Sequence, residues 1–169
     1  HSYPHCLRHK TPLIFTSTPQ WFISMNKNNL LDEAKKTIDQ VKWEPSWGLQ
    51  RIESMLEDRP DWCISRQRNW GVPITLVVHK ETCEIHPEQS NLFEKFAKEV
   101  EKKGISEWNK LELKDYISDS EDYIKIQDSL DVWFDSGVTH YAVSSKRFNE
   151  DIVADLYLEG SDQHRGWFQ

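Results

Sequence analysis

Three short segments of this 169-residue chain concentrate side chains able to bind and orient a ligand. The first, Arg59-Pro-Asp-Trp-Cys-Ile-Ser-Arg-Gln-Arg-Asn-Trp-Gly-Val-Pro-Ile74, packs three arginines, two tryptophans and one glycine into sixteen residues. The second is Asp131-Val-Trp-Phe-Asp-Ser-Gly137, and the third is Leu158-Glu-Gly-Ser-Asp-Gln-His-Arg-Gly-Trp-Phe168. The apolar run Leu156-Tyr-Leu158 leads directly into Glu159-Gly-Ser-Asp162, which predicts a strand, a glycine turn and a helix start capped by Ser161 or Asp162. Open α/β sheets build ligand sites from that succession, at the carboxyl ends of their strands. A carboxylate at such a turn, Glu159 or Asp162, can accept hydrogen bonds from ribose hydroxyls or pair with an ammonium group. Capping by Asp162 is compatible with either role. Gln163 offers both a donor and an acceptor to a carboxylate or carbonyl.

Trp70 and Trp167 each adjoin a glycine, which lets backbone approach a ligand closely. Buried core tryptophans would satisfy the same pattern. The guanidinium forks of Arg66, Arg68 and Arg165 suit phosphate oxygens, and ion pairs with Asp61, Asp131 or Asp135 suit them equally. No Gly-x-Ser-x-Gly nucleophile elbow is present, and no residue is assigned a catalytic role. Two incomplete sets of metal-ligand types occur, Cys6-x-x-His9 and His79-x3-Cys83-x2-His86. Zinc requires four nitrogen or sulfur ligands with paired spacings, so both sets are expected to be metal-free surface residues.

Stepping outward, the composition limits what these segments can belong to. Aromatic residues make up 12% of the chain and eight are tryptophan, which a disordered chain would not carry. With 21 Lys and Arg against 28 Asp and Glu, no basic surplus exists for non-specific phosphate binding. No run of about eighteen apolar residues is present, so no membrane contact is expected. Three scattered cysteines, Cys6, Cys63 and Cys83, argue against a disulfide framework and fit a reducing, cytoplasmic compartment. The chain opens at His1 and stops at Gln169 without a breaker, and reads as an excised piece of a longer protein.

The elements that must position the three segments follow from periodicity. Apolar residues spaced by three and four predict helices over 30–41, over about 49–56 before Pro60, and over about 90–103 with Gly104 as C-cap. Residues 13–15 read as an extended stretch, and Ile74–Val78 as a buried strand. Asp131–Phe134 reads as a strand entering a turn at Asp135-Ser-Gly137. Residues 79–125 hold 20 of the 49 charged residues and only one tryptophan, Trp108. They read as a charged, mainly helical, solvent-exposed insertion between host segments 1–78 and 126–169. The expected fold class is α/β, a partial Rossmann-like parallel sheet interrupted by that insertion.

The words Trp62-Cys-Ile-Ser-Arg-Gln-Arg-Asn-Trp-Gly71, Asp131 to Gly137 and Tyr157 to Phe168 resemble the class I aminoacyl-tRNA synthetases that charge isoleucine, valine and leucine. Within that subgroup they look most like the bacterial isoleucine branch. The opening, from Ser2-Tyr-Pro-His5 through Thr11-Pro-Leu-Ile-Phe15 to Pro19-Gln-Trp-Phe22, is similar to that family's return path from its editing insertion into the catalytic domain. The family's His-x-Gly-His and Lys-Met-Ser-Lys-Ser signatures are absent from these residues. The resemblance implies that residues 79–125 are the connective peptide. It implies that Glu159, Gly160, Asp162 and Gln163 meet an aminoacyl-adenylate, and that Trp70 and Trp167 border the amino-acid side chain. It further implies ATP with Mg2+, isoleucine and tRNA(Ile) as substrates of a monomeric, cytoplasmic parent. A valyl- or leucyl-specific relative and a non-enzymatic RNA- or protein-binding module are the alternatives. Because neither ligand set is complete, chelator-washed protein should contain no stoichiometric zinc by elemental analysis; one zinc per chain would overturn that expectation.

Overall fold

The structure is a computed structural model that describes residues 3–148 and 153–169. His1, Ser2 and residues 149–152, parts of the two host segments, lie outside the described residues. In chain order come strand β1 (Phe22–Ile23), helices α1 (Leu30–Ile38) and α2 (Trp47–Glu57), and strands β2 (Trp62–Cys63), β3 (Ser65–Arg66) and β4 (Val77–His79). Helices α3 (Gln89–Lys103) and α4 (Glu107–Lys110), strands β5 (Tyr123–Lys125) and β6 (Ser129–Leu130), and helices α5 (Val132–Gly137) and α6 (Lys146–Phe148) follow. A π-helical stretch spans His140–Ser145, and a 3-10 turn, Ser161–His164, lies near the end.

The three predicted helices form, although α1 ends at Ile38, short of the expected Val41, which is exposed. Helix α2 buries Ile52 and Leu56 along one face, and Leu31, Ala34 and Ile38 of α1 are half-buried. Two asparagines, Asn28 and Asn29, hold left-handed backbone ahead of α1, a conformation that asparagine tolerates better than most residues. Helix α3 buries Leu92 and Phe96 and stops at Gly104, whose φ of +88 favours glycine. Phe93, next to Leu92 in the apolar run, lies on the exposed side of the helix.

The strands differ from expectation. Each ladder among the described residues is antiparallel and two or three residues long: β1 with β2, β3 with β6, and β4 with β5. A parallel sheet needs strands delivered side by side by crossover connections, and these extended segments instead fold back on one another. Leu156–Leu158, expected as a sheet strand, forms no ladder among the described residues, and Leu156 and Leu158 are 77% and 84% exposed. The Rossmann-like parallel sheet is therefore not built among the described residues, which show a mixed helix-and-strand architecture. Val132–Phe134 is helical rather than extended, because Asp131 caps α5 and accepts from the Trp133 N–H at 3.4 Å.

The best-packed region lies within the charged middle of the chain. Val77, Leu92, Phe96, Trp108, Leu111 and Ile117 form one buried cluster, with Leu113, Tyr116 and Tyr123 against it. The Phe96 ring meets Trp108 and Tyr116 edge-to-face, each at 5.1 Å. Gln89 ties the start of α3 to the sheet: its Oε1 accepts from the Val77 N–H at 2.8 Å and its Nε2 donates to the Thr75 carbonyl at 3.1 Å. Lys125 closes the far side, its ammonium donating to the carbonyls of Trp108 (2.7 Å) and Leu111 (2.5 Å). Burial pulls the Lys125 ammonium below the usual lysine range. Charge thus coats this lobe while an aromatic core fills it. Phe96→Ala should cost about 3–4 kcal/mol by opening a cavity between Trp108 and Tyr116. Urea denaturation followed by tryptophan fluorescence would measure the loss.

Candidate functional site

The local backbone around the first segment depends on serine and glutamine side chains. The buried Ser65 hydroxyl donates to Gln20 Oε1 at 2.6 Å and accepts from the Trp21 N–H at 2.8 Å. Together with the β1–β2 ladder and the Ile64 N–H donating to the Trp21 carbonyl, this seats residues 20–25 against 61–65. Strand β6 then lies between two parts of the first segment, since Ser129 faces Arg66 on one side and Pro73 on the other. The intervening residues 67–71 arch over β6. Gly71 closes the arch at φ +148, with its Cα so near Ser129 that an added Cβ would lie 2.9 Å from the serine Cβ. At the crest, the Trp70 ring is 92% exposed.

The second segment is joined to the first through one carboxylate. Asp131, 5% exposed, accepts at Oδ2 from the Trp62 indole at 3.0 Å and from Arg66 Nη2 at 2.8 Å. Of the three aspartates that could have paired with the arginines, Asp131 takes Arg66, whereas Asp61 accepts from the Met25 N–H at 2.8 Å. Asp135, one turn on in α5, has its carboxyl pushed up by burial and by the Asp131 charge.

The third segment packs on the second. The Trp167 indole donates to the Ser136 carbonyl at 2.9 Å, and Gly166 lies against the Trp133 ring, where an added Cβ would come within 3.1 Å. Trp167 also stacks on Tyr157 at 3.5 Å between ring centres. In the turn, Glu159, Gly160 and Asp162 are exposed and Gln163 is half-buried. Gln163 donates to Asp162 Oδ2 at 3.2 Å and accepts from the Trp167 N–H at 3.2 Å. Glu159, Gly160, Asp162, Gln163 and Trp167 therefore share one short stretch, stitched together by Gln163. No ring contact or hydrogen bond joins Trp70 to Trp167 or to the turn among the described residues. Of the three arginines, Arg66 is spent on Asp131, while Arg165 is exposed and depresses the Arg59 guanidinium, which burial already lowers. For metals, Cys6 Sγ lies 3.6 Å from His9 Nδ1, and among the described residues no three His, Cys, Asp or Glu side chains gather into a ligand set.

The side chains that hold the segments together were not singled out from the sequence. Ser65, Gln20 and His164 lie inside the quoted words but draw no role of their own there, and Asp131 was one of three equivalent aspartates. Trp43-Glu-Pro-Ser-Trp-Gly48 could have been noticed for its two tryptophans around a proline. That hexapeptide connects α1 to α2 and faces His164 across an apolar cleft of about 190 Å3.

The family description tRNA synthetases class I (I, L, M and V) matches residues 8–169. The chain belongs to the class I tRNA synthetases. Three bacterial relatives of this synthetase chain bear the name isoleucine–tRNA ligase: those of Saccharophagus degradans at 61% identity, Vibrio vulnificus strain YJ016 at 60% and Thioalkalivibrio sulfidiphilus at 59%. Each match covers 100% of this chain and 18% of the relative. Within the synthetase chain, Asp131 is the buried carboxylate on which both the Trp62 indole and Arg66 depend. Asp131→Ala would strand the Trp62 N–H and leave Arg66 unpaired, lowering stability by about 2–4 kcal/mol, whereas Asp131→Asn should lose less. Chemical denaturation of the two variants would show that order.

Proposed function

We propose that this chain is the central part of an isoleucine–tRNA ligase and supplies part of its amino-acid and adenylate site. What carries the reading is the identity of about 60% to bacterial isoleucine–tRNA ligases along the whole chain. The convergence of all three ligand-type segments around Asp131 and α5 supports it. In the longer protein, residues 1–78 and 126–169 would contribute to a Rossmann-like catalytic domain and residues 79–125 would be its connective peptide. The total accessible surface fits such a setting. It is 13362 Å2, against roughly 8,700 Å2 for a compact 20 kDa monomer. Ile14, Phe15, Val153 and Leu158 are among the apolar side chains left open.

The reaction would run in two steps. The isoleucine carboxylate attacks the α-phosphorus of ATP, supplied with Mg2+, and pyrophosphate leaves. A terminal ribose hydroxyl of tRNA(Ile) then attacks the adenylate carbonyl, and AMP leaves. Neither step needs a protein nucleophile, so positioning and charge stabilisation carry the catalysis. Glu159 and Asp162 would accept from adenylate ribose hydroxyls or the substrate ammonium, Gly160 would let the backbone approach, and Gln163 would bind a carbonyl oxygen. Trp70 and Trp167 would wall the aliphatic side chain. A hydrophobic wall separates isoleucine from valine by only about 1–3 kcal/mol, and this amino-acid pair is the standard illustration of that limit. The parent would be monomeric and cytoplasmic.

Isoleucine-dependent ATP–pyrophosphate exchange tests the reading. The longer protein should exchange with isoleucine in preference to valine and leucine, and preference for either of those would assign it to a relative of different specificity. Glu159→Ala should lower kcat/KM by about tenfold or more, and Trp70→Ala should mainly raise the KM for isoleucine. The 169-residue chain by itself should show no exchange, because the two ATP signatures are missing from it. Salt-sensitive tRNA binding without exchange by the longer protein would favour an RNA-binding module instead.

A further inference from the structure

The turn that carries Glu159 to Gln163 is bonded largely to itself. Its backbone hydrogen bonds run from Gln163 to Gly160 and from Arg165 to Asp162, each at 3.1 Å. Gly166 and Trp167 fasten the residues that follow it to α5. Within the 3-10 turn, His164 reaches a distant part of the chain through its ring.

Two restraints act on that imidazole. Its Nδ1 lies 2.8 Å from the Ser161 carbonyl oxygen, which only accepts, so Nδ1 carries the proton and the ring is locked to its own turn. Its face stacks on Trp43, with ring centres 6.3 Å apart and planes at 27°, and leans on Trp47 at 6.3 Å and 32°. Phe168 closes a third side at 6.3 Å, and Pro45 and Gly48 line the same cleft. Gly48 makes room for the stack, because a Cβ there would lie 2.9 Å from the Trp43 ring and 3.8 Å from His164 Nε2.

We infer that His164 is a positioning residue, whose stacking in the Trp43–Trp47 cradle sets where the Glu159–Gln163 turn stands. The inference deepens the proposed function and rests on its reading of that turn as the adenylate contact. His164 transfers no proton here; it ties the placement of groups one to five residues upstream to the Trp43–Trp47 connection. The Trp-x-Pro-x-Trp-Gly sequence thereby becomes part of the site without touching substrate.

The test uses the full-length protein that carries this chain, assayed by isoleucine-dependent pyrophosphate exchange. His164→Ala should lower kcat/KM about tenfold, Trp47→Ala should do the same, and the double variant should fall little further than either single one. His164→Phe keeps the stack without the Ser161 bond and should recover activity to within about threefold of the unaltered protein. His164→Asn keeps a donor but no ring and should stay impaired. If His164→Ala fails to fold, the order of the Phe and Asn variants decides. Unaltered kinetics in His164→Ala, additive losses in the double variant, or Asn outperforming Phe would overturn the inference. Absence of exchange in the unaltered protein would instead remove the adenylate reading. The His164–Trp47 coupling would then be read from a denaturation double-mutant cycle, in which strictly additive losses would overturn it.

Discussion

Asp131 stands 65 residues from its partner Arg66 in sequence, yet its carboxylate joins the Trp62 indole, the Arg66 guanidinium and the first turn of α5. A carboxylate that is 5% exposed would be costly if unpaired, so each partner is under strong constraint to remain. From this one group the neighbouring geometry follows. Strand β6 is held between Arg66 and Pro73, the 67–71 arch passes over it, and α5 starts where its N–H groups can use the second carboxylate oxygen. The third segment then packs on α5 through Trp133 and Ser136. Losing the carboxylate would loosen three segments at once.

The middle lobe and the rest of the chain sit differently with water. Residues 77–123 bury an aromatic core and satisfy its polar edge with Gln89 and Lys125, so their charge is a coat over a packed interior. The flanking segments leave many large apolar side chains open, with Trp70, Leu7, Val153 and Ile14 the most exposed among them. The accessible surface is about half as large again as that of a compact monomer of this mass. High charge density in this stretch said nothing of the quality of the core beneath it.

The strand expected at Val132–Phe134 shows how tertiary contacts override local preference. Valine, tryptophan and phenylalanine in succession favour an extended chain. The Phe134 N–H instead bonds to the Asp131 carbonyl at 2.8 Å, and the Asp131 side chain caps the resulting turn. Because that carboxylate is already anchored by Trp62 and Arg66, its direction is given from outside the segment. A similar dependence governs Leu156–Leu158, whose apolar residues read as a strand but meet no strand to bond among the described residues.

The sequence by itself determined α1, α2 and α3, since spacing of apolar residues reports directly on which face of a 3.6-residue repeat avoids water. It also marked the three segments and the turn residues Glu159 to Gln163, because glycines, carboxylates and tryptophans in close succession are chemically unusual. What it could not determine was partnership. Three aspartates were equivalent candidates for the arginines, and only the fold selects Asp131 for Arg66 and leaves Asp61 to the Met25 N–H. Likewise the stacking of His164 on Trp43 and Trp47 joins residues more than a hundred positions apart. Strand direction was decided in the same way. A strand's hydrogen bonds are made with another segment, so parallel or antiparallel pairing is a property of where the chain returns and not of the residues that pair.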